Sequence, residues 1–139
     1  MAKSTTEAPQ GTAQHIPVDP DHWNAFLADF TRLNRGAHAR VDILGPGVGY
    51  QVETEDRPFD GIAADNKDGE ATVWIHFGST PDDHLAHGVH NVKTIAVRAP
   101  AGKLGAAVLV EARDQTKTVL ELTRPEDFAL PGETQQQRR

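Results

Sequence analysis

The sequence contains no cysteine. That excludes a disulfide framework, a thiolate zinc site, an iron–sulfur cluster and a cysteine nucleophile, and it leaves the fold to be held by its core alone. Aromatic residues are scarce, at 6% of the chain. No apolar run approaches the roughly 20 residues that cross a bilayer as a helix, and the first 18 residues are polar with no long hydrophobic stretch after Lys3. A cytoplasmic protein with no membrane partner is the expectation. A basic excess is missing too: 14 Lys and Arg face 20 Asp and Glu, a formal charge of −6, which argues against nucleic acid and anionic lipid as main partners. The charge is concentrated. Residues 53–83 carry nine acids against only Arg57 and Lys67, so the remainder is near neutral.

What is present fits one small domain. Of the 139 residues, 1–18 and 131–139 lack apolar periodicity and read as disordered tails, leaving 19–130 as a single globular domain. The clearest helix is predicted over 20–35, because Trp23, Phe26, Leu27, Phe30 and Leu33 recur at spacings of three and four and form one apolar stripe. Asp19 caps it, Pro20 takes its first position and Gly36 stops it.

Short alternating segments follow. Strands are predicted at 39–43 and 48–52 around the turn Gly45-Pro46-Gly47, at 59–64 after a break at Asp56-Arg57-Pro58, and at 71–77 after the turn Asn66-Lys67-Asp68-Gly69. Further strands fall at 93–99, 106–112 and 116–123. Between them, Thr80-Pro81-Asp82-Asp83 reads as the capped start of a helical turn that Gly88 ends. The fold expected is α+β and mainly antiparallel β: a curved sheet or small partly open barrel of about seven strands covered by one N-terminal amphipathic helix. A sandwich is the alternative.

The segment 23–122 resembles a bacterial family of domains of unknown function, the one numbered 5335. The residues that carry the resemblance are Trp23 with Phe26-Leu27 and Phe30, then Leu44-Gly45-Pro46 and Gln51-Val52-Glu53, the block 61–69, and His84-Leu85-Ala86-His87. These are turn and packing residues, and the resemblance implies no activity and no catalytic residue.

The polar clusters that could carry chemistry are few. His84, His87 and His90 recur every third residue beside Asp82 and Asp83, with His76 one strand earlier; imidazole with carboxylate is a ligand set for a divalent transition metal such as zinc. On a helix over 81–87, His84 and His87 would share a face and His90 would complete three ligands. The bland reading is a short surface helix and loop with exposed histidines. The acids Glu53, Glu55, Asp56 and Asp60, with Asp65 and Asp68, read either as a carboxylate site or as turn residues and a solvated face. Trp74 and His76 lie opposite Val73 and Ile75, where they line a pocket or, for Trp74, pack beneath the helix.

Every cluster thus has a local structural role. The function expected is a non-enzymatic binding or accessory module with an acidic interaction face formed by Glu53, Glu55, Asp56 and Asp60, meeting an unknown protein partner or itself, with no cofactor. The rival is a small metal-binding protein or metal-assisted hydrolase using His84, His87 and His90. A third reading is a small-molecule sensor whose pocket includes Trp74 and His76.

Overall fold

Helix formation begins where the sequence places it. In the computed structural model, which describes residues 15–47, 49–100 and 105–123, the Asp19 carboxylate accepts from the Asp21 N–H at 2.9 Å. Pro20 opens a 3₁₀ turn, Pro20–His22, that runs into helix α1, Trp23–Asn34. Gly36 ends it with a φ of +91° that glycine adopts without a Cβ penalty. The helix buries Leu27 and Phe30 and partly covers Trp23 and Phe26. Leu33 is 64% exposed, so the covered stripe is shorter than its spacing predicts.

The strands are β1 (Ile16–Pro17), β2 (His38–Gly45), β3 (Gly49–Lys67), β4 (Glu70–Phe77), β5 (Leu85–Val89), β6 (Val92–Arg98), β7 (Ala107–Ala112) and β8 (Lys117–Thr123). They form one antiparallel sheet in the order β1-β6-β7-β8-β2-β3-β4-β5. The sheet curves enough to bring β4 near β6, although the two are not hydrogen-bonded neighbours. Its concave face and α1 enclose one core, with Val41, Phe59, Ile75, Phe77, Val108, Val110 and Leu120 all almost fully buried.

Three expectations change. The strands read at 48–52 and 59–64 are one strand, β3, of 19 residues. It bends instead of breaking: Pro58 is its last residue paired to β2, and Phe59 the first paired to β4. Proline, which lacks the N–H a central ladder needs, is tolerated where pairing changes hands. Second, the segment read as a helical turn over 81–87 is helical only at Pro81–Asp83, and then becomes the edge strand β5. Third, Ile16 and Pro17, assigned to the N-terminal tail, pair with Val97 and Ala96 as β1. The rest of the predicted tails, 1–14 and 131–139, lies outside the described residues. Together these turn about seven expected strands into eight.

The turns behave as read. Asp68 and Gly69 take positive φ values of 56° and 79° between the paired Lys67 and Glu70, the signature of a two-residue primed turn. Thr80 and Asp83 form the expected box, with the Asp83 carboxylate accepting from Thr80 N–H at 2.9 Å and from its hydroxyl at 3.0 Å. These bonds to the charged form hold the Asp83 carboxyl below its ordinary range.

Candidate functional site

Strand geometry separates the three histidines. Side chains alternate between the faces of a strand, and β5 pairs Ile75 with His87 and His76 with Ala86. His87 therefore shares the concave face with Ile75, whereas His84 and His90 flank the opposite, convex face. Some six residues of extended chain, roughly 20 Å, lie between His84 and His90. The expected convergence of His84, His87 and His90 does not form, because the segment is a strand and not a helix. Among the described residues, no group of three or more His, Asp or Glu side chains could hold a metal ion.

The convex face carries its own row. His90 Nδ1 lies 3.4 Å from the Thr72 hydroxyl, and its ring meets Trp74 edge to face at 5.8 Å. The Trp74 indole lies across Gly88, where a Cβ would come within 2.7 Å of the ring. Trp74 thus packs on the outside of the sheet and not beneath α1. At the far end His76 Nδ1 stands 3.0 Å from His84 Nε2, the rings 26° apart.

Three of the acids singled out by the sequence share a different property. Register skips one residue of β3 at each of three points: between the partners of Val41 and Asp42, between those of Ala39 and Arg40, and between Phe59 and Gly61. The unpaired residues are Glu53, Asp56 and Asp60. Each is the extra residue of a bulge, which re-aims its side chain out of the regular alternation. Asp56, at a φ of 62°, meets His38 Nδ1 at 2.6 Å. Glu55 lies 3.3 Å from Arg40, which also binds Asp42 and the Tyr50 hydroxyl. Asp60 lies 3.7 Å from Arg35. Exposed pairs of this kind contribute about 0–1 kcal/mol each, but they leave Glu55 and Asp60 beside an arginine and Asp56 beside an imidazole.

A cleft lies elsewhere, where β5 and its following turn meet the β7–β8 turn and the end of β2. It has a volume of about 640 Å³, within the range of small-molecule sites. Val89, Ala112 and Thr118 form a buried floor with half-buried Ile43, and His87 points in from β5. His90, Asn91, Arg113 and Asp114 make the rim. The rim is held by backbone bonds: Arg113 N–H donates to Asn91 C=O at 2.9 Å, and Asp114 Oδ1 accepts from Thr116 N–H at 2.9 Å. The Arg113 guanidinium has no ion pair among the described residues. Sequence reading missed this cleft, because its residues come from three distant segments, Ile43, 87–91 and 112–118, and only the sheet's curvature assembles them.

Burial pushes the His87 imidazole below its ordinary pKa; the Glu53 charge pulls it up and His90 pushes it further down. The unfolded chain therefore binds a proton more readily than folded His87 does. Stability is fully present above the unfolded value of about 6.5 and declines as pH falls through it toward the lowered folded value. In urea unfolding at pH 7.5 and 5.5, the His87→Gln protein is expected to lose less stability than the parent. His15, shifted in the same direction by burial and by Arg98, keeps part of the slope. Equal slopes in the two proteins would remove His87 from this account.

Fold and site together define a small α+β module, an open curved antiparallel sheet with one covering helix and a ligand-sized cleft at one end. A family model matches residues 14–131. The chain belongs to that family, described as a family of unknown function (DUF5335), the one its sequence resembles. No curated protein and no solved structure matches the chain. Among the described residues no helix is long and apolar enough to cross a membrane.

Proposed function

We propose that this protein is a binding module whose cleft takes a small organic anion, a carboxylate carried on an apolar body. The observation that carries this reading is the pairing of a buried floor, apolar Val89 and Ala112 with Thr118, with Arg113, a cation without an ion pair among the described residues, on the rim of the same cleft. The floor accommodates a hydrocarbon portion, and a guanidinium is suited to a planar carboxylate. His87, kept neutral by burial, adds an imidazole that donates or accepts without placing a second charge in the cleft. The acidic-face form of the binding reading draws less support, since Glu55 and Asp60 each lie beside an arginine and Asp56 beside His38.

Phenylacetate and hexanoate are suitable probes. Titrated into ¹⁵N-labelled protein, they are expected to shift the amide signals of residues 87–91 and 112–116 and leave the β2–β3 hairpin unmoved. Arg113→Ala removes a charge-assisted contact worth about 1.5–3 kcal/mol, which lowers affinity roughly tenfold or more. Shifts confined to other surfaces, or affinity indifferent to Arg113, would refute the cleft as the site. Retained binding by a variant with Glu53, Glu55, Asp56 and Asp60 all neutralised is the further result expected.

A further inference from the structure

We infer that His76 and His84 form a two-imidazole chelate for a divalent transition metal on the convex face, separate from the cleft. Their facing nitrogens, His76 Nδ1 and His84 Nε2, stand 3.0 Å apart. Two nitrogens bound to one metal at about 2.0–2.1 Å lie roughly 3.4 Å apart at a tetrahedral angle and roughly 2.8 Å apart at a right angle. The observed separation falls between these limits, so one ion can bridge the pair once each ring turns its lone pair toward it. The rings are 26° from parallel with centroids 5.1 Å apart, and without an ion the two nitrogens share an N–H···N hydrogen bond, whose proton a metal would displace.

The loop that delivers His84 is tightly built. Gly78, at a φ of 113°, lies so close beneath Asp83 that a Cβ there would meet the Asp83 carbonyl oxygen at 2.6 Å. Gly78 N–H also donates to Pro58 C=O at 2.9 Å. With the Thr80–Asp83 box, these contacts set His84 over His76 before any ion arrives. Prior placement of the donors reduces the ordering that binding must supply. Asp60 lines the recess beside His84, and two protein donors leave the remaining coordination positions to water or an added ligand. Imidazole donors in an open site favour copper(II) over nickel(II) and zinc(II) in affinity.

Untagged full-length protein titrated with copper(II), and separately with zinc(II), tests the inference by calorimetry. One equivalent of copper is expected to bind, with an electron paramagnetic resonance spectrum showing nitrogen coupling from imidazole, and to raise the melting temperature. Since even indirect supports of a metal ligand carry 10–100-fold effects, His76→Gln and His84→Gln are each expected to weaken binding by at least about tenfold. His22→Gln is expected to leave it unchanged. The two test variants sit on different elements, so one that fails to fold leaves the other decisive. Absence of the equivalent, binding retained in both variants, or loss in His87→Gln or His90→Gln instead would overturn the assignment. The outcomes at His76 and His84 do not bear on the cleft, whose test reads Arg113 and the amides of residues 87–91 and 112–116.

Discussion

Phe59→Ala is expected to remove about 3–5 kcal/mol of stability, a large share of the roughly 5–15 kcal/mol that holds a domain together. The ring is 1% exposed and meets Phe30 of α1 edge to face, with centroids 5.9 Å apart at 81°. Truncation removes its transfer energy and leaves a void that the surroundings cannot close, because the backbone is pinned on both sides. Phe59 N–H donates to Ala37 C=O at 2.7 Å, and Phe59 C=O accepts from Gly36 N–H at 2.8 Å. Phe59→Leu keeps most of the volume and is expected to cost about 1–2 kcal/mol. Urea unfolding of both variants reads the difference. A loss below about 1 kcal/mol for the alanine variant would mean that α1 does not seat on this ring.

The position matters beyond its volume. Phe59 is where β3 exchanges β2 for β4, so the helix presses on the bend itself. Thr31 reinforces the contact, its hydroxyl accepting from Ile62 N–H at 2.9 Å and donating to Ile62 C=O at 3.1 Å. Gly61 lies under the same residue, with room for a Cβ only 3.3 Å from the Thr31 methyl. The curvature that builds the cleft therefore depends on packing at the bend in the middle of β3, and a Phe59 variant that folds is expected to bind the carboxylate probes more weakly.

Local chemistry was the legible part of this molecule. The cap at Asp19, the stop at Gly36, the Asp68-Gly69 turn and the Thr80–Asp83 box are all written in adjacent residues, and each forms as read. Long-range geometry was not legible. Pro58 carries a breaker's signature, but whether it ends a strand or marks a change of partner depends on β4, which lies beyond the next turn. The segment after Asp83 has a helix start and no helix, because pairing of Leu85–Val89 with β4 outweighs a single capped turn. That one change of element sends His87 inward and His84 and His90 outward. The row Val48, Tyr50 and Val52 has a strand's alternation, yet Tyr50 and Val52 are 58% and 43% exposed; periodicity identifies a face but does not say that anything covers it. The acids of β3 were visible as a cluster, while the status of Glu53, Asp56 and Asp60 as bulge residues appears only in the register.

Gly105→Ala is expected to destabilise the fold by about 2.5–6 kcal/mol through a backbone collision rather than a lost side chain. A Cβ built on Gly105 falls 1.7 Å from the Leu122 carbonyl oxygen and 2.8 Å from its carbon. Both are main-chain atoms of β8, a buried central strand, so neither can swing aside as a side-chain tip would. The segment has to lift away from β8, and two bonds go with it: Leu122 N–H to Ala106 C=O, and Arg98 Nη2 to Gly105 C=O, both 2.9 Å. The second loss is the more costly. Arg98 is only 8% exposed, and its Nε is already without a hydrogen-bond partner, leaving the Glu121 carboxylate at 3.3 Å as its other contact. A buried guanidinium deprived of a charge-assisted bond costs about 1.5–3 kcal/mol, and the overpacking adds about 1–3 kcal/mol. Replacing Arg98 by Met removes the charge that would be stranded, so the Gly105→Ala penalty is expected to shrink by roughly half when measured in the Arg98→Met background. Denaturant unfolding of the four proteins in that cycle separates the two contributions: an undiminished penalty assigns the whole effect to the collision, and a penalty below about 1 kcal/mol in either background would contradict the close approach of Gly105 to β8.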